Sequence, residues 1–439
     1  MNPIEKVPAA LMLEDGTFFS GISCGAPGEA TGTVCFNTAM IGYPEVLSNP
    51  ANAGRIMVMS YPQIGNYGIA QSDLESKSAA VWGLVVRDIC QTPSNFRSDM
   101  SLPEYLVEQG IVALCDVDTR ALVRHISEHG AMRAAISTID LDPASLLAKA
   151  KAAYYLEDED LIALVSTKTV WTYDPVQAFA AYGDWAPLLP QPRYNVVAID
   201  CGITNSALRQ LVRAGCAITV VPWDTTPEEI VSLKPDGVFI SSGPGDPRWV
   251  QVVIETNVTA TNVIATVAAL LGNVPVFGVG LGHQLIALAA CAAIEKLRHE
   301  HNGNNQPVCD LNSHTIDATE QCHMYAACFD TLGQLIPEES GGVTTHPLYD
   351  DLRFWMEKGV APVVQNEQFG RIRLTHINVN DGTAEGLRFL DIPAQSVQFN
   401  PVVAVDEDGP HPLYREFTKL MDAFNGQVGN PSTKEADHA

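Results

Sequence analysis

The stretch Phe277-Gly278-Val279-Gly280-Leu281-Gly282-His283-Gln284 follows a short apolar run and precedes a helical pattern. Its glycines at 278 and 282 have the spacing of a nucleophile elbow, a sharp strand-to-helix turn that presents one side chain above a sheet. The central position of this elbow is Gly280, which has no side chain. A dinucleotide-binding turn is not indicated either, because its third glycine position holds His283.

Strands and helices alternate around this turn. Apolar runs predict strands at 195–200, 217–221, 237–241 and 275–278, and helical patterns lie at 205–214, 227–233 and 284–293. This alternation predicts a doubly wound parallel sheet, whose ligand sites lie where strands lead into helices. Ser241–Pro247 is a second such turn. Its glycines allow backbone N–H groups to approach an anion or oxyanion, although an ordinary tight turn has the same composition.

The first 152 residues predict a separate α/β domain. Strands are expected at 10–13, 32–37, 55–60 and 81–86, with Asp15-Gly16 as a hairpin turn, and helices at 102–109, 119–128 and about 142–153. Three prolines between residues 185 and 194 indicate an extended connection. The predicted organisation is therefore a domain at 1–152, a linker at 153–193, a second domain at 194–424 and a flexible tail at 425–439.

The chain of 439 residues is acidic, with 51 Asp and Glu against 26 Lys and Arg and a formal charge of −25. Such a surface repels phosphate backbones and anionic lipid, so neither a nucleic acid nor a membrane is expected as a partner. Residues 1–10 do not have the pattern of a signal peptide, and no apolar stretch reaches the roughly 20 residues of a membrane span. These features predict a cytoplasmic protein.

Ten cysteines are present without paired Cys-x-x-Cys clusters, so they are expected to be reduced thiols. His299, His301, Cys309 and His314 lie close in sequence, but their spacing matches no standard zinc pattern. No metal site is predicted.

Several strings in both halves identify a family. They are Phe36-Asn37-Thr38-Ala39-Met40 with Gly42-Tyr43, Tyr61-Pro62-Gln63-Ile64-Gly65-Asn66, Ser94-Asn95-Phe96-Arg97, Asp116-Val117-Asp118-Thr119-Arg120, Ser242-Gly243-Pro244-Gly245-Asp246-Pro247, Leu281-Gly282-His283-Gln284 and Asn378-Val379-Asn380-Asp381-Gly382-Thr383. In this order they resemble the small subunit of carbamoyl-phosphate synthetase, a class I glutamine amidotransferase. The resemblance implies an α/β fold in which a small-subunit N-terminal domain precedes a flavodoxin-like amidotransferase domain.

In that family a Cys attacks the glutamine amide, a His serves as base and a Glu orients the His. The resemblance places these roles on Gly280, Asn400 and Val402, so no catalytic residue is expected to be intact. Glycine offers no nucleophile, asparagine takes up no proton near neutral pH, and valine cannot orient an imidazole. The glutamine-pocket positions implied by the resemblance are Ala51, Gly243, Gly245, Leu281, Gln284, Cys322 and Met324.

Some of these positions depart from the family pattern. Met324 replaces a family glycine and is expected to narrow the pocket, and Ala51 stands where the family usually has Ser. Cys322 is an alternative nucleophile by its nearness to the pocket, whereas Cys291 is expected to be a packed thiol on a buried helix. Gly280 adopts a strained elbow conformation at little cost, which fits a fold retained without its chemistry.

The resemblance implies a synthetase small subunit, or a close homologue, that does not hydrolyse glutamine and acts as a structural or regulatory partner of the ATP-using large subunit. No cofactor is expected on this chain, and ATP and magnesium are expected on the large subunit. The alternative is a free-standing, non-catalytic binding or regulatory module derived from the small subunit. An insertion at about 331–371 is expected to form a hairpin or helix near the pocket, or a new partner surface.

Overall fold

The computed structural model of the protein describes residues 6–154, 160–248, 263–346, 351–402 and 409–428. It contains an N-terminal barrel with helices packed on it and a C-terminal mixed sheet with helices on its faces. The predicted α/β class is thus confirmed. No helix within the described ranges is long and apolar enough to cross a bilayer.

The barrel is built by the N-terminal strands. In chain order these are β1 Pro8–Leu13, β2 Phe18–Ser23, β3 Glu29–Asn37, β4 Arg55–Met59, β5 Gln63–Ile64, β6 Gly83–Val85, β7 Asp88–Ile89, β8 Val112–Cys115 and β9 Met132–Ser137. Neighbours around the closed barrel are β1-β2-β8-β6-β4-β3-β9, and β5 pairs with β7 beside it. The helices of this half are α1 Tyr43–Ser48, α2 Leu102–Glu108, α3 Thr119–His129 and α4 Pro143–Ala152.

Local sequence explains these elements. The Asp15-Gly16 turn joins β1 to β2 as predicted, and Asp15 Oδ1 accepts a hydrogen bond from the Thr17 N–H at 2.8 Å. Ser101 and Glu104 form a capping box that begins α2. Alternate strand residues such as Leu11 point into the barrel, where full burial of a leucine contributes about 1.5–3 kcal/mol.

The second half forms the larger sheet. Its strands are β10 Trp171–Thr172, β11 Tyr194–Asp200, β12 Cys216–Pro222, β13 Gly237–Ile240, β14 Val276–Val279, β15 Ile294–Asp310, β16 Thr315–Ala327, β17 Gln334–Leu335, β18 Val363–Asn366, β19 Gly370–Asn378, β20 Ala384–Phe389 and β21 Ala394–Val397. The helices are α5 Leu161–Val165, α6 Pro175–Phe179, α7 Asn205–Arg213, α8 Pro227–Ser232, α9 Val263–Leu270, α10 Leu281–Ala289, α11 Arg353–Lys358 and α12 Pro412–Val428.

The sheet order is β10-β12-β11-β13-β14-β21-β20-β19-β15-β16, with β18 and β17 continuing beside β19. The central strands β12, β11, β13, β14 and β21 are parallel, as the alternation of strands and helices predicted. The remaining strands pair antiparallel to this core and extend it beyond a simple doubly wound sheet. The carboxyl end of β14 therefore lies centrally, and Gly280 follows it directly.

The predicted linker at 153–193 requires correction. Within its described part, α5 buries Leu161 and Ile162 in the core of the larger sheet, and β10 pairs with β12. The longest described run without regular secondary structure there is 186–193. The apolar run Leu161–Val165 is too short to reveal this burial by periodicity. The predicted tail also begins too early, since α12 continues to Val428, and residues 429–439 lie outside the described ranges.

The insertion at about 331–371 joins the core of the larger sheet. It carries β17, α11 and β18, and Trp355 of α11 is fully buried in the same hydrophobic cluster as Ile372 of β19. Asn366 anchors the insertion, because its Nδ2 donates to the backbone carbonyls of Ala290 and Leu332 at 2.9 and 2.8 Å. The insertion does contain a helix, as expected, but its described residues pack at the edge of the sheet and not beside the elbow.

Polar contacts connect the barrel to the β15–β16 hairpin. Asn37 Nδ2 donates to Asn302 Oδ1 at 2.6 Å, and both side chains are buried. Arg55, with 3% of its surface exposed, forms an ion pair with Glu300. These contacts place barrel residues against the strands that border the elbow.

Candidate functional site

The elbow connects β14 to α10 through Gly280. The backbone there has φ 58° and ψ −115°, a positive φ that glycine adopts without the strain other residues suffer. Gly280 donates its N–H to the Val397 carbonyl at 2.9 Å, and its own carbonyl accepts from the His283 N–H at 3.0 Å. The predicted strand-turn-helix is present and fixed on both sides, but it presents no side chain.

The loop Ser241–Pro247 fills the space above this turn. A Cβ atom built on Gly280 would lie 3.0 Å from Ser242 Cβ and closer still to Ser242 Oγ. Real Cβ atoms do not sit so near such neighbours, so a larger residue at 280 requires Ser242 to move. Both the backbone angle and the surrounding atoms therefore suit glycine.

Gly280 faces a cavity of only about 20 Å³, which we term the elbow cavity. Its lining residues are Asn49, Thr204, Ala207, Phe239, Ser242, Val279, Gly280, Glu320, Gln321, Cys322, Gln398 and Asn400. A single water needs about 10–15 Å³ of such space. The elbow cavity thus has room for about one water molecule and none for the side chain of a free amino acid such as glutamine.

Asn400 and Val402 have different surroundings. Asn400 lines the elbow cavity and donates from Nδ2 to Glu320 Oε2 at 3.1 Å, while its backbone N–H donates to the Glu320 carbonyl at 2.9 Å. Val402 is 38% exposed and lines a separate, larger cavity. The three positions therefore do not form a hydrogen-bonded group.

Two family models match this chain. The model described as carbamoyl-phosphate synthase small chain, CPSase domain, matches residues 11–136, and that of glutamine amidotransferase class-I matches residues 197–420. The carbamoyl phosphate synthase small chain of Chlorobaculum tepidum is 38% identical, over 95% of this chain and 99% of its own length. The chain belongs to the carbamoyl phosphate synthase small chain family.

Other members of the small chain family match equally broadly. Those of Syntrophotalea carbinolica and Thermotoga maritima are 39% and 40% identical, and each match covers 94% of this chain and 98% of the relative. A solved structure from Thermoplasma acidophilum, described as a putative GMP synthase protein, covers 54% of this chain and 98% of its own, at 17% identity and a TM-score of 0.37. That likeness is too low to support an argument about fold. The resemblance found in the sequence motifs is confirmed by the curated relatives.

Of the pocket positions predicted from the small chain family, Cys322 lines the elbow cavity. Gly243 and Leu281 pack against each other behind it, since a Cβ on Gly243 would lie 2.8 Å from Leu281 Cδ2. Gln284 is buried and donates from Nε2 to the Tyr325 carbonyl at 2.8 Å and to Gln398 at 3.0 Å. Its amide nitrogen is therefore engaged within the protein.

The remaining pocket positions lie away from the elbow cavity. Gly245 occupies a turn with φ 87°, and Ala51 is buried beside Asn49, which lines the cavity in its place. Met324 was expected to narrow the glutamine pocket, but its side chain lines a different cavity of about 230 Å³ between β15 and the barrel. Cys322, two residues earlier on β16, lines the elbow cavity instead.

Cys322 has the environment of a protonated thiol. Its Sγ donates to Asn52 Oδ1 at 3.1 Å and accepts from Arg55 Nη1 at 3.4 Å. Burial raises the pKa of Cys322, although the Arg55 guanidinium opposes this. A nucleophilic cysteine needs a lowered pKa and a base, and neither is provided. Cys291, expected on a buried helix, is instead exposed beyond the end of α10.

Glu320 was missed by the sequence reasoning, although it lines the elbow cavity. Burial raises its pKa to about 7, nearby Glu75 adds to the increase and the Asn400 hydrogen bond opposes it. Its position two residues before Cys322 could have placed it at the pocket, because side chains two residues apart on a strand share a face. Near neutral pH this carboxyl exchanges between neutral and charged forms.

A second polar cluster lies on the β15–β16 hairpin. His301, His323 and Glu385 are buried, and one possible ligand atom from each lies within 4.8 Å of the others. His299, Cys309 and His314, considered with His301 from sequence, are not part of it.

Hydrogen bonds already engage the two histidines of this cluster. Gln321 Oε1 contacts His301 Nδ1 at 2.9 Å and His323 Nε2 at 2.8 Å, and His301 Nε2 contacts Asp381 at 2.8 Å. Burial lowers the pKa of His301, but hydrogen bonds to Asp381 and Glu385 outweigh it and raise that pKa to about 10. A charged His301 is thus already held between Asp381 and Glu385, and a metal ion would have to displace these contacts.

Proposed function

We propose that this chain is a carbamoyl phosphate synthase small subunit that does not hydrolyse glutamine and acts as a structural or regulatory partner of the ATP-using large subunit. The observation that carries the proposal is Gly280, which provides no nucleophile and faces a cavity of about 20 Å³. Glutamine hydrolysis of this class requires both a nucleophile and space for the substrate. Each deficiency alone supports the loss of the reaction.

The second requirement is a base. Asn400 has an amide in place of an imidazole, and its Nδ2 is already engaged by Glu320. Glu320 has a raised pKa, but its hydrogen-bond partner Asn400 is not a nucleophile that it could deprotonate. The only thiol on the elbow cavity within the described residues is Cys322, whose pKa burial raises. No pair of these groups reproduces an activated nucleophile.

The barrel offers a surface for the partner. Met40 and Ile41 are 64% and 68% exposed, and Phe96 is 91% exposed. The two loops that carry these side chains are both hydrogen-bonded to the neighbouring residues Asn66 and Tyr67. Gly42 N–H donates to the Tyr67 hydroxyl at 2.7 Å, and Ser94 N–H donates to the Asn66 carbonyl at 2.9 Å. Exposed large apolar side chains on fixed loops are typical of a protein interface.

In this proposal the large subunit forms carbamoyl phosphate from bicarbonate, ATP and free ammonia. ATP and magnesium bind to the large subunit, and this chain contributes no cofactor. The small chain stabilises or regulates its partner without supplying nitrogen from glutamine.

The test is reconstitution with the large subunit of the same organism. Complex formation is measured by size-exclusion chromatography with light scattering, and carbamoyl phosphate synthesis is followed with glutamine or ammonium chloride as nitrogen source. We expect a complex at micromolar concentrations that uses ammonia and not glutamine. The control is the isolated large subunit with ammonium chloride, which reports what the small chain changes.

Two results would contradict the proposal. Glutamine-dependent synthesis that Cys322→Ser abolishes would indicate an active enzyme with a substitute nucleophile. Absence of a complex at micromolar concentrations would favour the free-standing binding or regulatory module.

A further inference from the structure

A cavity of about 670 Å³ lies between the β19–β20–β21 strands, the β15–β16 hairpin and the beginning of α12. Its volume falls in the range of small-molecule sites. It shares Glu320 and Asn400 with the elbow cavity but is otherwise built from different residues. We call it the arginine cavity, after Arg373 and Arg388 in its wall.

The two arginines lie directly opposite each other. Arg373 of β19 pairs in register with Arg388 of β20, and Arg388 pairs with Gln395 of β21, so the three side chains form a row across three strands. Like charges in direct cross-strand positions destabilise a sheet unless something compensates them. Two arginines directly opposite each other are therefore unexpected, particularly because only 26 of the 439 residues are Lys or Arg.

Neither arginine is compensated by an ion pair among the described residues. Arg388 donates from Nη1 to Gln395, a neutral amide, and the side chain of Arg373 has no hydrogen bond within the same ranges. Burial lowers the pKa of Arg388; exposed Glu416 partly offsets this, and Arg373 adds to it. Both guanidinium groups are half-buried at the cavity wall, with planar donor sets that match an oxyanion.

Four carboxylates of the described residues line the cavity, and none forms an ion pair with either arginine; Glu320 Oε2 accepts instead from Asn400 Nδ2. Asp310 accepts from the backbone and side chain of Asn312 and from Ser313 Oγ, so its oxygens are engaged in a turn. Asp310 pairs with His376, which lies three residues from Arg373 along β19, or about 10 Å at the rise of a strand. Exposed Asp317 also lines that distant end, and Glu416 is solvent-exposed on α12.

We propose that the arginine cavity binds a small organic anion, with a phosphate or carboxylate group held between Arg373 and Arg388. Exposed Asp317, at the opposite end about 10 Å away, accepts hydrogen-bond donors of the same ligand. Leu387 and Phe399 provide apolar wall between these ends. This inference does not depend on the partnership with a large subunit.

The test uses inorganic phosphate as the probe of the anion subsite. Thermal unfolding of the full chain is measured against phosphate concentration, with sodium chloride at matched ionic strength as the reference. We expect saturable stabilisation by phosphate, and binding at least roughly tenfold weaker in Arg373→Gln/Arg388→Gln, since a charge-assisted, two-point contact is lost. Arg120→Gln/Arg124→Gln, exposed on α3, is the matched charge control and should bind phosphate as the wild type does.

Single variants distinguish loss of the anion site from misfolding of the protein. Because the two like charges repel, Arg373→Gln should unfold at a higher temperature than the wild type without phosphate, yet gain less from phosphate. Arg373→Lys keeps the charge but loses the planar fork, so its phosphate affinity should fall between those of the wild type and Arg373→Gln.

Two outcomes would overturn the proposal: no saturable effect of phosphate on the wild type, or equal phosphate affinity in the wild type and in Arg373→Gln/Arg388→Gln.

Discussion

Ser242 lies in the space that a Cβ atom on Gly280 would occupy. The two residues follow the ends of neighbouring parallel strands, so the loop after β13 packs directly on the elbow after β14. The absence of a side chain at 280 and the position of Ser242 therefore depend on each other. This pair allows the contribution of the elbow to stability to be measured directly.

Gly280→Ala is expected to destabilise the protein by at least about 2 kcal/mol, because the positive φ costs about 1–2 kcal/mol and the Ser242 contact adds to it. Urea unfolding of the variant and the wild type gives the difference. Gly16→Ala is the matched control, since Gly16 also has a positive φ but open space around it. Gly280→Ala should lose more unfolding free energy than Gly16→Ala, and adding Ser242→Gly to Gly280→Ala should remove this difference. If Ser242→Gly leaves the loss in Gly280→Ala unchanged, the contact with Ser242 is not its cause.

Introducing a Cys, a His and a Glu at positions 280, 400 and 402 is not expected to confer glutamine hydrolysis. Gly280→Cys/Asn400→His/Val402→Glu in a Ser242→Gly background supplies the nominal groups, but the elbow cavity has room for only about one water. Val402 also lines a different cavity from Gly280. Ammonia release from glutamine should remain at the level of the wild type. Clear turnover by this variant would show that the cavity opens to admit the substrate.

Stability should depend on the protonation of Glu320. Burial raises its folded-state pKa to about 7 from 4.5, so the folded protein retains a proton that the unfolded chain releases. The contribution is complete below pH 4.5 and is lost as pH rises through about 7. In Glu320→Gln the unfolding free energy should fall by roughly 1–3 kcal/mol less than in the wild type as pH rises through this range. Urea unfolding at a series of pH values measures the difference.

Glu45 provides the control for that experiment. Burial raises the pKa of Glu45 to about 8, so the unfolding free energy should show a similar decline at slightly higher pH. Glu45→Gln should leave the Glu320 decline in place. If Glu320→Gln and the wild type lose stability equally between pH 4.5 and 7, the assignment to Glu320 is wrong.

The exposed aromatic of the barrel should matter for the proposed complex. Phe96→Ala is expected to weaken binding of the large subunit roughly tenfold or more, as removal of an apolar anchor from an interface does. Because Phe96 is 91% exposed, the unfolding free energy of the isolated chain should hardly change. Titration calorimetry measures the affinity of the wild type and of the variant. Leu188→Ala, also fully exposed but on the segment 186–193, is the matched control.

Much of the fold followed from local sequence. The strands leading to the elbow and the helices capped by Ser101 and Thr226 lie within a few residues of their predicted positions, because period and capping act locally. The burial of Leu161 and of Trp355 was not predictable in the same way. Each joins the core through contacts with residues distant in sequence, which no local pattern records.

The sequence motifs locate the elbow of the candidate site but do not give the dimensions of the cavity beside it. Gly280 and Asn400 follow from motif positions alone, whereas the size of the elbow cavity depends on how Ser242 and Gln398 pack around it. The position of Met324 was missed for a related reason: it lines a cavity between β15 and the barrel, which depends on packing between segments distant in sequence. The Arg373–Arg388 row likewise depends on strand register, which one sequence does not reveal.

The contacts between the barrel and the β15–β16 hairpin have a thermodynamic consequence. Asn37 and Asn302 are both buried, and Arg55 and Glu300 form an ion pair with little exposed surface, so separating the two halves leaves polar groups without partners. Breaking a buried ion pair costs about 3–5 kcal/mol, a large fraction of the roughly 5–15 kcal/mol that holds a protein folded. The two halves should consequently melt as one cooperative unit, and the barrel should not persist once the sheet has unfolded.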